Sequence, residues 1–510
     1  MPTGADVMFE TARRAGVDTC FANPGTTEMA MVASLDRVPG VRAVLVQFEG
    51  VASGAADGFW RVTGRPAIGM FHLGPGFANA LANVHNARRG ASPVINMIGD
   101  QTRDHLAADA PLTSQIELLT DWGGWTRHVA APETAAGDMA EAIVAATTGR
   151  GGPASVIVPA DVTWEEAPSE IPDLTFGTGA SVSDDAVAQA AAALRAGDAM
   201  LVVGGAWLTA DMAADVAAIR GATGCKATSY RIPNNDGGAG VHGVVGLPYF
   251  PEQAMAALAD VRRAVMVGTP EPVTFFGYPD TPSTTLPADA ERVFLGDEHV
   301  DVAGALKALV AELDAQPVAV DDRPAIDAAT GALDPEKLGA TVARLLPEGA
   351  IVVQEGVTSA AGLLRNAPRA AMHRTIGPTG GAIGGGLPLA VGAAVGAPDS
   401  KVVAFQADGS SMYTIQSLWT MAREGLNVTV VICNNQRYAI LEVELLRAGI
   451  TEPGPKAASL TSLANPAVDF VSLAKGFGVD GERVDTAEGL AAAMGRADAT
   501  DGPYLIEAML

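Results

Sequence analysis

The alternation of short apolar runs with alanine-rich helical segments is the feature that most restricts the fold of this chain. Runs rich in β-branched or apolar residues recur along the sequence, and segments with the spacing of amphipathic helices lie between them. That pattern is typical of parallel sheets covered by helices on both faces. At roughly 150 residues per domain, a chain of 510 residues allows about three such domains. We therefore predict an α/β protein of three doubly wound, Rossmann-like domains.

The strand candidates form three groups, which set the predicted domain boundaries. They lie at 43–48, 66–72, 92–100 and 153–160, then at 199–205, 262–268 and 291–297, and finally at 350–356, 401–409, 427–435 and 503–510. Polar, proline-bearing stretches at 165–185 and 315–335 have the composition of linkers. The predicted domains are residues 1–165, 185–320 and 335–510.

Charge and cysteine content exclude several classes of protein. Lys and Arg number 33 against 58 Asp and Glu, and the resulting net charge of −25 disfavours binding to nucleic acid. Cys20, Cys225 and Cys433 are far apart, which favours neither a disulfide framework nor a zinc site and fits a reducing cytoplasm. Since no stretch of about 18 apolar residues occurs, neither secretion nor a membrane span is indicated.

Two polar segments follow strands of the third group and suggest an oxygen-rich site. Asp408, Gly409 and Ser410 come directly after one strand, and Asn434 and Asn435 end the next, with 24 residues between Gly409 and Asn434. Neighbouring parallel strands would bring Asp408 and Asn435 to one edge of a sheet, where doubly wound folds bind ligands. Such oxygens suit Mg²⁺ or Ca²⁺, Gly409 permits close approach of a diphosphate, and Ser410 adds a hydroxyl donor. Taken separately, a surface Asp-Gly turn and an ordinary Asn-Asn loop remain alternatives.

This spacing resembles the signature of thiamine-diphosphate-dependent enzymes, in which a Gly-Asp-Gly and a later Asn-Asn hold the metal and the diphosphate. Ala407 stands where that signature has its first glycine. The resemblance implies that Mg²⁺ is bound by Asp408, Asn435 and the backbone carbonyl of Arg437. It also places Tyr438 among the residues that bind the cofactor.

The N-terminal third resembles the pyrimidine-binding domain of the same family. Phe48 and Glu49 are predicted to end a strand, and a helical segment follows from Gly50. A carboxylate at a buried strand end is partly desolvated and can share a proton with a ring nitrogen. The resemblance implies that Glu49 binds N1′ of the aminopyrimidine and so assists removal of the thiazolium C2 proton. Without the other motifs, a helix-start carboxylate stabilised by the helix dipole is the alternative for Glu49.

Two loops of this domain are similar to the pyrimidine-side loops of benzoylformate decarboxylase and acetolactate synthase. Their candidate cofactor-binding residues are Pro24, Gly25, Thr26 and Asn79. His72 follows a predicted strand, where an imidazole can hydrogen-bond a substrate carboxylate or relay a proton near neutral pH. The alternative for His72 is a structural polar residue at a domain edge.

Two further segments of the third domain are candidates for cofactor contacts. Thr358 follows a strand and precedes a helical pattern, so its hydroxyl and nearby backbone N–H groups could meet a diphosphate. The glycine-rich stretch 380–398 resembles the family segment in which a large apolar side chain is wedged between the two rings of the cofactor. Alignment on the Gly-Leu-Pro at 386–388 puts Ile383 at that wedge. A glycine-rich helix packed closely against another backbone is the alternative.

The resemblance covers essentially the whole chain, although the middle third matches only in order and length. The motif order is that of the decarboxylase and acetolactate synthase group. It implies thiamine diphosphate and Mg²⁺ as cofactors, and a homodimer or homotetramer with sites at subunit interfaces. Bound FAD is not expected, because the middle third shows no evident dinucleotide motif.

The implied reaction is decarboxylation of a small 2-oxo acid, followed by protonation to an aldehyde or attack on a second carbonyl. Ile440 and Leu441 would provide apolar walls, with Glu444 on the same helical face as Ile440 or simply solvated. Phe275 and Phe276 lie roughly where some decarboxylases have a proton-donating histidine, and no histidine is near them in sequence. Slow protonation would favour carboligation, so we expect an acetolactate-synthase-like enzyme.

Three other functions compete with that expectation. A decarboxylase of the benzoylformate type would share the cofactor and differ in its product. A nicotinamide-dependent dehydrogenase is disfavoured because the usual G-x-G-x-x-G at the first strand is not evident. A non-catalytic module that retains the fold is disfavoured by the presence of Glu49, Asp408 and Asn435.

Overall fold

Parallel strands flanked by helices make up the structure, a computed structural model that describes residues 1–177, 179–230 and 234–510. Thr178, in the first predicted linker, and residues 231–233, in the predicted middle domain, lie outside the described residues. The chain divides into two compact units. One comprises 1–147, 151–175 and 324–510, and the other comprises 148–150 and 176–323.

The N-terminal part of the first unit is a parallel sheet in the order β2-β1-β3-β4-β6-β5. Its strands are β1 (Thr19–Asn23), β2 (Arg42–Leu45), β3 (Ala67–His72), β4 (Val94–Asp100), β5 (Trp125–His128) and β6 (Pro153–Pro159). Its helices are α1 (Gly4–Arg14), α2 (Met29–Arg37), α3 (Glu49–Thr63), α4 (Leu73–Arg89), α5 (Arg103–Ala107), α6 (Ile116–Gly123), α7 (Ala135–Thr147) and α8 (Ala160–Trp164), with a 3-10 turn at Thr26–Glu28. All residues of β4 and β6 are buried, because both faces of the sheet are covered.

The second unit contains a parallel four-stranded sheet in the order β12-β11-β7-β9, and its strands β8 and β10 pair in parallel. Its strands are β7 (Ala199–Val203), β8 (Trp207–Leu208), β9 (Lys226–Ser229), β10 (Asn234–Gly237), β11 (Arg263–Val267) and β12 (Glu291–Leu295). Its helices are α9 (Asp184–Arg195), α10 (Ala210–Thr223), α11 (Pro251–Leu258) and α12 (Val302–Glu312). A core of valine, leucine and alanine side chains lies between the sheet and helices α9, α10 and α12.

The C-terminal part of the first unit repeats the architecture, with strands in the order β17-β18-β16-β15-β13-β14. The strands are β13 (Ala350–Glu355), β14 (His373–Ile376), β15 (Val402–Ala407), β16 (Val428–Asn434), β17 (Asp480–Val484) and β18 (Tyr504–Met509). The helices are α13 (Pro335–Leu345), α14 (Ala361–Asn366), α15 (Gly386–Gly396), α16 (Asp408–Ser411), α17 (Ser417–Glu424), α18 (Ala439–Arg447), α19 (Pro455–Thr461), α20 (Phe470–Gly476) and α21 (Ala487–Asp498). Short 3-10 turns occupy Val357–Ala360 and Ala367–Arg369.

Helices α3 and α15 join the two parts of the first unit at very short range. A Cβ added to Gly58 would lie 2.2 Å from the Leu389 carbonyl oxygen, and one added to Gly392 would lie 1.9 Å from that of Ala55. Small residues are therefore required where these backbones meet. The helix that begins at Glu49 is thereby fixed against the helix that follows the Ile383 segment.

The predicted α/β class with parallel, Rossmann-like sheets is confirmed. One local prediction is wrong: Glu49 does not end a strand, because β2 stops at Leu45 and Glu49 is the first residue of α3. The three cysteines are free and buried. Within the described ranges, no helix is both long and apolar enough to cross a membrane.

Candidate active site

A cavity at the carboxyl ends of β13, β15 and β16 collects the cofactor residues predicted in the C-terminal domain. The parallel pairing of these strands brings their ends to one edge, as the sequence argument requires. The lining residues are Gly356, Val357, Thr358, Ser359, Ile383, Ala407, Asp408, Gly409, Ser410, Asn435, Arg437, Tyr438, Ala439 and Ile440. Segments that are far apart in the sequence therefore line one cavity.

Asp408 is the buried carboxylate of this cavity. It lies at the junction of β15 and α16, where its Oδ1 accepts a hydrogen bond from the Gly409 N–H at 2.7 Å and its Oδ2 accepts one from the Gln436 N–H at 2.7 Å. Burial raises the pKa of Asp408, and the backbone hydrogen bonds oppose that shift. A cation beside Asp408 would offset the cost of burying this charge.

The turn after β16 presents the amide and carbonyl oxygens predicted to complete the metal site. Gln436 has a left-handed φ of 57°, and its N–H also donates to Asn434 Oδ1 at 3.2 Å. Asn434 in turn donates through Nδ2 to Glu507 Oε1 at 2.7 Å, on β18. The side chain of Asn434 is therefore used inside the protein. Asn435 and Arg437 line the cavity, and Asn435 Oδ1 accepts a hydrogen bond from the Arg437 N–H at 3.1 Å.

The residues of the cavity fit thiamine diphosphate and a hard divalent cation. Among the residues that the structure describes, no group of three or more His, Cys, Asp or Glu side chains could hold a metal ion. A metal here would therefore depend on one carboxylate together with amide and carbonyl oxygens, the donors that Mg²⁺ accepts alongside phosphate oxygens. Gly409 leaves room beside the Tyr438 ring, since a Cβ at that position would lie 2.4 Å from it.

The predicted residues of the N-terminal domain form a second cluster. The buried carboxylate of Glu49 accepts a hydrogen bond from Asn79 Nδ2 at 3.1 Å. Gly76 separates Glu49 from His72: a Cβ added there would lie 3.1 Å from Glu49 Oε1 and 3.4 Å from His72 Cβ. The backbone of Gly25 lies against the imidazole of His72, so a larger residue would collide with the ring. The adjoining residues Pro24 and Thr26 are half-buried and exposed, respectively.

Glu28 is a member of this cluster that the sequence argument did not assign a role. Its carboxylate is fully buried and accepts a hydrogen bond from the Gly25 N–H at 2.7 Å. His72 Nδ1 lies 2.8 Å from the same oxygen, Oε2. Because a carboxylate accepts, Nδ1 is assigned the proton, which orients the ring and leaves Nε2 available. An acid three residues after Gly25 has capping-box spacing, a signal that could have identified Glu28.

Within one chain, the N-terminal cluster around Glu49 and His72 does not line the C-terminal cavity. Every residue that lines the cavity lies between Gly356 and Ile440, and within the described part of the chain Glu49, His72 and Asn79 are not among them. Ile440 begins the predicted apolar wall, whereas Leu441 is exposed and Glu444 is half-buried on α18. In the second unit, Phe275 and Phe276 are exposed.

Comparisons with known proteins agree with this geometry. Residues 2–119 match the description "Thiamine pyrophosphate enzyme, N-terminal TPP binding domain", and residues 357–508 match "Thiamine pyrophosphate enzyme, C-terminal TPP binding domain". The chain is 43% identical over 513 residues, covering 99% of both sequences, to a Mycobacterium tuberculosis protein described as "Putative acetolactate synthase large subunit IlvX". It is 28% identical to benzoylformate decarboxylase of Pseudomonas aeruginosa, over 99% of this chain and 98% of that one.

A solved structure extends the similarity to three dimensions. The thiamine diphosphate-dependent 4-hydroxybenzoylformate decarboxylase of Rhodococcus jostii RHA1 matches with a TM-score of 0.82 and 25% identity. The match covers 99% of this chain and 98% of that one. Motifs, cavity and comparisons thus lead to one conclusion: the chain belongs to the thiamine pyrophosphate enzyme family, among relatives that include acetolactate synthases and benzoylformate decarboxylases.

Proposed function

We propose that the protein decarboxylates a small aliphatic 2-oxo acid and joins the remaining acyl group to a second carbonyl compound, as an acetolactate synthase does. The observation that carries this proposal is the single cavity in which Asp408, Asn435, Thr358 and Ile383 meet. Bound thiamine diphosphate supplies the electron sink that allows CO₂ to leave. The acyl group then either takes a proton and leaves as an aldehyde, or forms a carbon–carbon bond with the second carbonyl.

In this proposal, Asp408, Asn435 and the Arg437 carbonyl hold Mg²⁺ against the diphosphate. Thr358 and Ser410 supply hydroxyl donors to it, and Tyr438 lies beside the glycine that admits it. Ile383, which lines the cavity, is the apolar side chain that would lie between the two rings of the bound cofactor. The charge of the metal would offset the charge of the diphosphate in this partly buried site. Because both groups are assigned to the C-terminal domain, we expect that domain to supply most of the binding free energy of the cofactor.

Proton handling is assigned to the N-terminal cluster. Glu49 shares a proton with N1′ of the pyrimidine, and Asn79 holds its carboxylate in place by the 3.1 Å hydrogen bond. His72, oriented by Glu28, offers Nε2 to the substrate carboxylate or to a proton in transit. The roles assigned to Glu49 and His72 both require the N-terminal cluster to lie beside a bound cofactor.

We infer that the N-terminal cluster faces the cavity of a second copy of the chain, so that the smallest active form is a homodimer. Two observations support this inference. The cavity is lined only by residues of the C-terminal domain. The helix α18 beside it has no buried residue in the single chain, and Leu441, Leu446 and Ile450 in this region are exposed. An apolar surface of this kind is typical of a covered interface.

The aromatic residues of the second unit favour one alternative, a decarboxylase of aromatic 2-oxo acids. Tyr249, Phe250, Phe275 and Phe276 contact one another through ring centroids 5.1 to 6.4 Å apart, and most of these rings are exposed. Exposed rings could stack on an aryl group. The segment 270–285, which the family resemblance aligns with the region of a proton-donating histidine in some decarboxylases, contains no histidine. Slow protonation of the acyl group would favour carbon–carbon bond formation.

Dependence on the cofactor is tested by removing it and adding it back. Protein dialysed against a chelator at mildly alkaline pH should consume pyruvate only after both thiamine diphosphate and Mg²⁺ are restored. Consumption without added thiamine diphosphate, in protein shown by mass spectrometry to contain none, would rule out the proposal. If Ca²⁺ restored pyruvate consumption and Mg²⁺ did not, only the metal named in the proposal would change.

A further inference from the structure

Glu355 is a buried carboxylate at the end of β13 for which the sequence predicted no role. It directly precedes Gly356, the first residue that lines the cavity, and only 5% of its surface is exposed. Within the described residues, Glu355 has no ion pair with Lys or Arg, so its charge is held by neutral donors. Burial raises the pKa of Glu355. Burying a carboxylate that has no ion-pair partner costs folding free energy, so a specific role for Glu355 is expected.

The hydrogen bonds of Glu355 connect three walls of the cavity. Its Oε1 accepts from the Gly384 N–H at 2.7 Å, and its Oε2 accepts from the Gly386 N–H at 2.7 Å. Oε2 also accepts from Gln406 Nε2 at 2.8 Å. Gly384 follows Ile383 in the loop before α15, and Gly386 is the first residue of α15. Gln406 lies on β15, two residues before Asp408. Glu355 itself continues into the Thr358 turn.

The loop can approach Glu355 only because its residues are glycines. A Cβ added to Gly386 would lie 2.2 Å from Gln406 Oε1 and 2.7 Å from Glu355 Oε2. Gly384 has a φ of 90°, and a Cβ there would lie 2.4 Å from Tyr413 Cβ. On its other side, the Gly384 carbonyl accepts from Thr414 Oγ1 at 2.8 Å. The residue after Ile383 is therefore fixed through both its N–H and its carbonyl.

We propose that Glu355 is a positioning residue that fixes the Ile383 loop relative to the strand bearing Asp408, and so sets how far the bound cofactor is bent. Glu355 acts through Ile383 and does not itself line the cavity. The inference rests on the proposed function to the extent that thiamine diphosphate is the ligand. Because Ile383 would contact the rings of the bound cofactor, the exchange rate of the thiazolium C2 proton would report the position of Ile383 without any substrate.

The Glu355→Gln variant tests this role in the holoenzyme. Gln keeps the shape but places an NH₂ group against one or more of the three N–H donors, which removes hydrogen bonds to a charged acceptor. We expect the dissociation constant for thiamine diphosphate, measured by calorimetry with saturating Mg²⁺, to rise about tenfold or more. C2–H exchange in the bound cofactor, followed by acid quench and NMR, should slow by about tenfold or more. Glu482→Gln is the matched control, since Glu482 also accepts three hydrogen bonds, from Arg496 and Tyr504.

A double-variant comparison separates positioning from general support of the fold. If Glu355 acts through Ile383, Glu355→Gln should slow exchange in the wild-type background and change it little in an Ile383→Ala background. Additive effects on exchange, or wild-type exchange and affinity in Glu355→Gln, would overturn the inference. Should Glu355→Gln fail to fold, Gln406→Met removes one donor to Oε2 and must shift exchange in the same direction, or the inference fails. Wild-type protein that binds no thiamine diphosphate would instead refute the proposed function.

Discussion

Asn79 Nδ2 lies 3.1 Å from Glu49 Oε2, and this hydrogen bond fixes the carboxylate at the first turn of α3. The side chain of Glu49 therefore has a defined orientation before any ligand binds. Its position at a helix start, rather than at a strand end, also exposes it to the positive end of the helix dipole. The carboxylate is fixed by the N-terminal domain alone, while the cavity that holds the diphosphate belongs to the C-terminal domain.

Replacing Glu49 by Gln should separate activation of the cofactor from its binding. Because the diphosphate and metal contacts lie in the other domain, the affinity for thiamine diphosphate should change little. The turnover rate should fall by about 10²–10⁴-fold, the usual worth of a general acid–base group. Steady-state kinetics and calorimetry on the same preparation measure both effects, and Glu117→Gln, an exposed acid of the same domain, is the control. Near-normal turnover in Glu49→Gln would contradict the assigned role.

Replacing Asp408 by Ala should remove the cofactor altogether. This change deletes the carboxylate of the proposed metal site and the acceptor for the Gly409 and Gln436 N–H groups. We expect purified Asp408→Ala to contain no thiamine diphosphate by mass spectrometry, while Asp399→Ala, an exposed acid of the same domain, retains it. A stoichiometric amount of cofactor in Asp408→Ala would mean that the metal site is elsewhere.

The sequence predicts much of this site because its motifs follow strands. Asp408 and Asn435 come directly after β15 and β16, and Thr358 lies three residues after the end of β13. Parallel strands in one sheet bring their carboxyl ends together. The apolar run 43–48 could not show where β2 ends, because apolar residues continue past the end of this edge strand, at Val46 and Phe48. Glu355 escaped assignment for another reason: its partners, Gly384, Gly386 and Gln406, are 29 to 51 residues away along the chain.

Disrupting the exposed apolar surface near α18 should dissociate the protein and abolish activity together. Leu446 and Ile450 are 57% and 42% exposed in the single chain, and glutamate at both positions would place two charges in the proposed interface. Light scattering should then give a monomer, with loss of turnover at the same concentrations. The Phe294→Glu variant changes an equally exposed residue of the second unit and should remain assembled. Wild-type protein that is fully active as a monomer would rule out a shared site.

The protein should bind no flavin, because valine side chains pack closely against the glycines that follow β11 and β12 in the second unit. A Cβ added to Gly268 would lie 2.5 Å from Val302 Cγ2, and one added to Gly296 would lie 2.6 Å from Val300 Cβ. The carboxylate of Asp301 already caps α12, accepting from the Gly304 N–H at 3.0 Å, and would repel a phosphate there. Purified protein should be colourless and should not quench the fluorescence of added FAD. A yellow protein with a flavin spectrum would contradict this prediction.

Product analysis with pyruvate and with benzoylformate tests the central claim most directly. The holoenzyme is incubated with each acid alone, and CO₂, aldehyde and carboligation products are quantified over time. Because no histidine lies in the segment 270–285 and Ile440 provides an aliphatic wall, we expect acetolactate as the main product from pyruvate, with one CO₂ released for every two pyruvates consumed. Rapid conversion of benzoylformate to benzaldehyde, with no acetolactate or acyloin from either acid, would contradict the account.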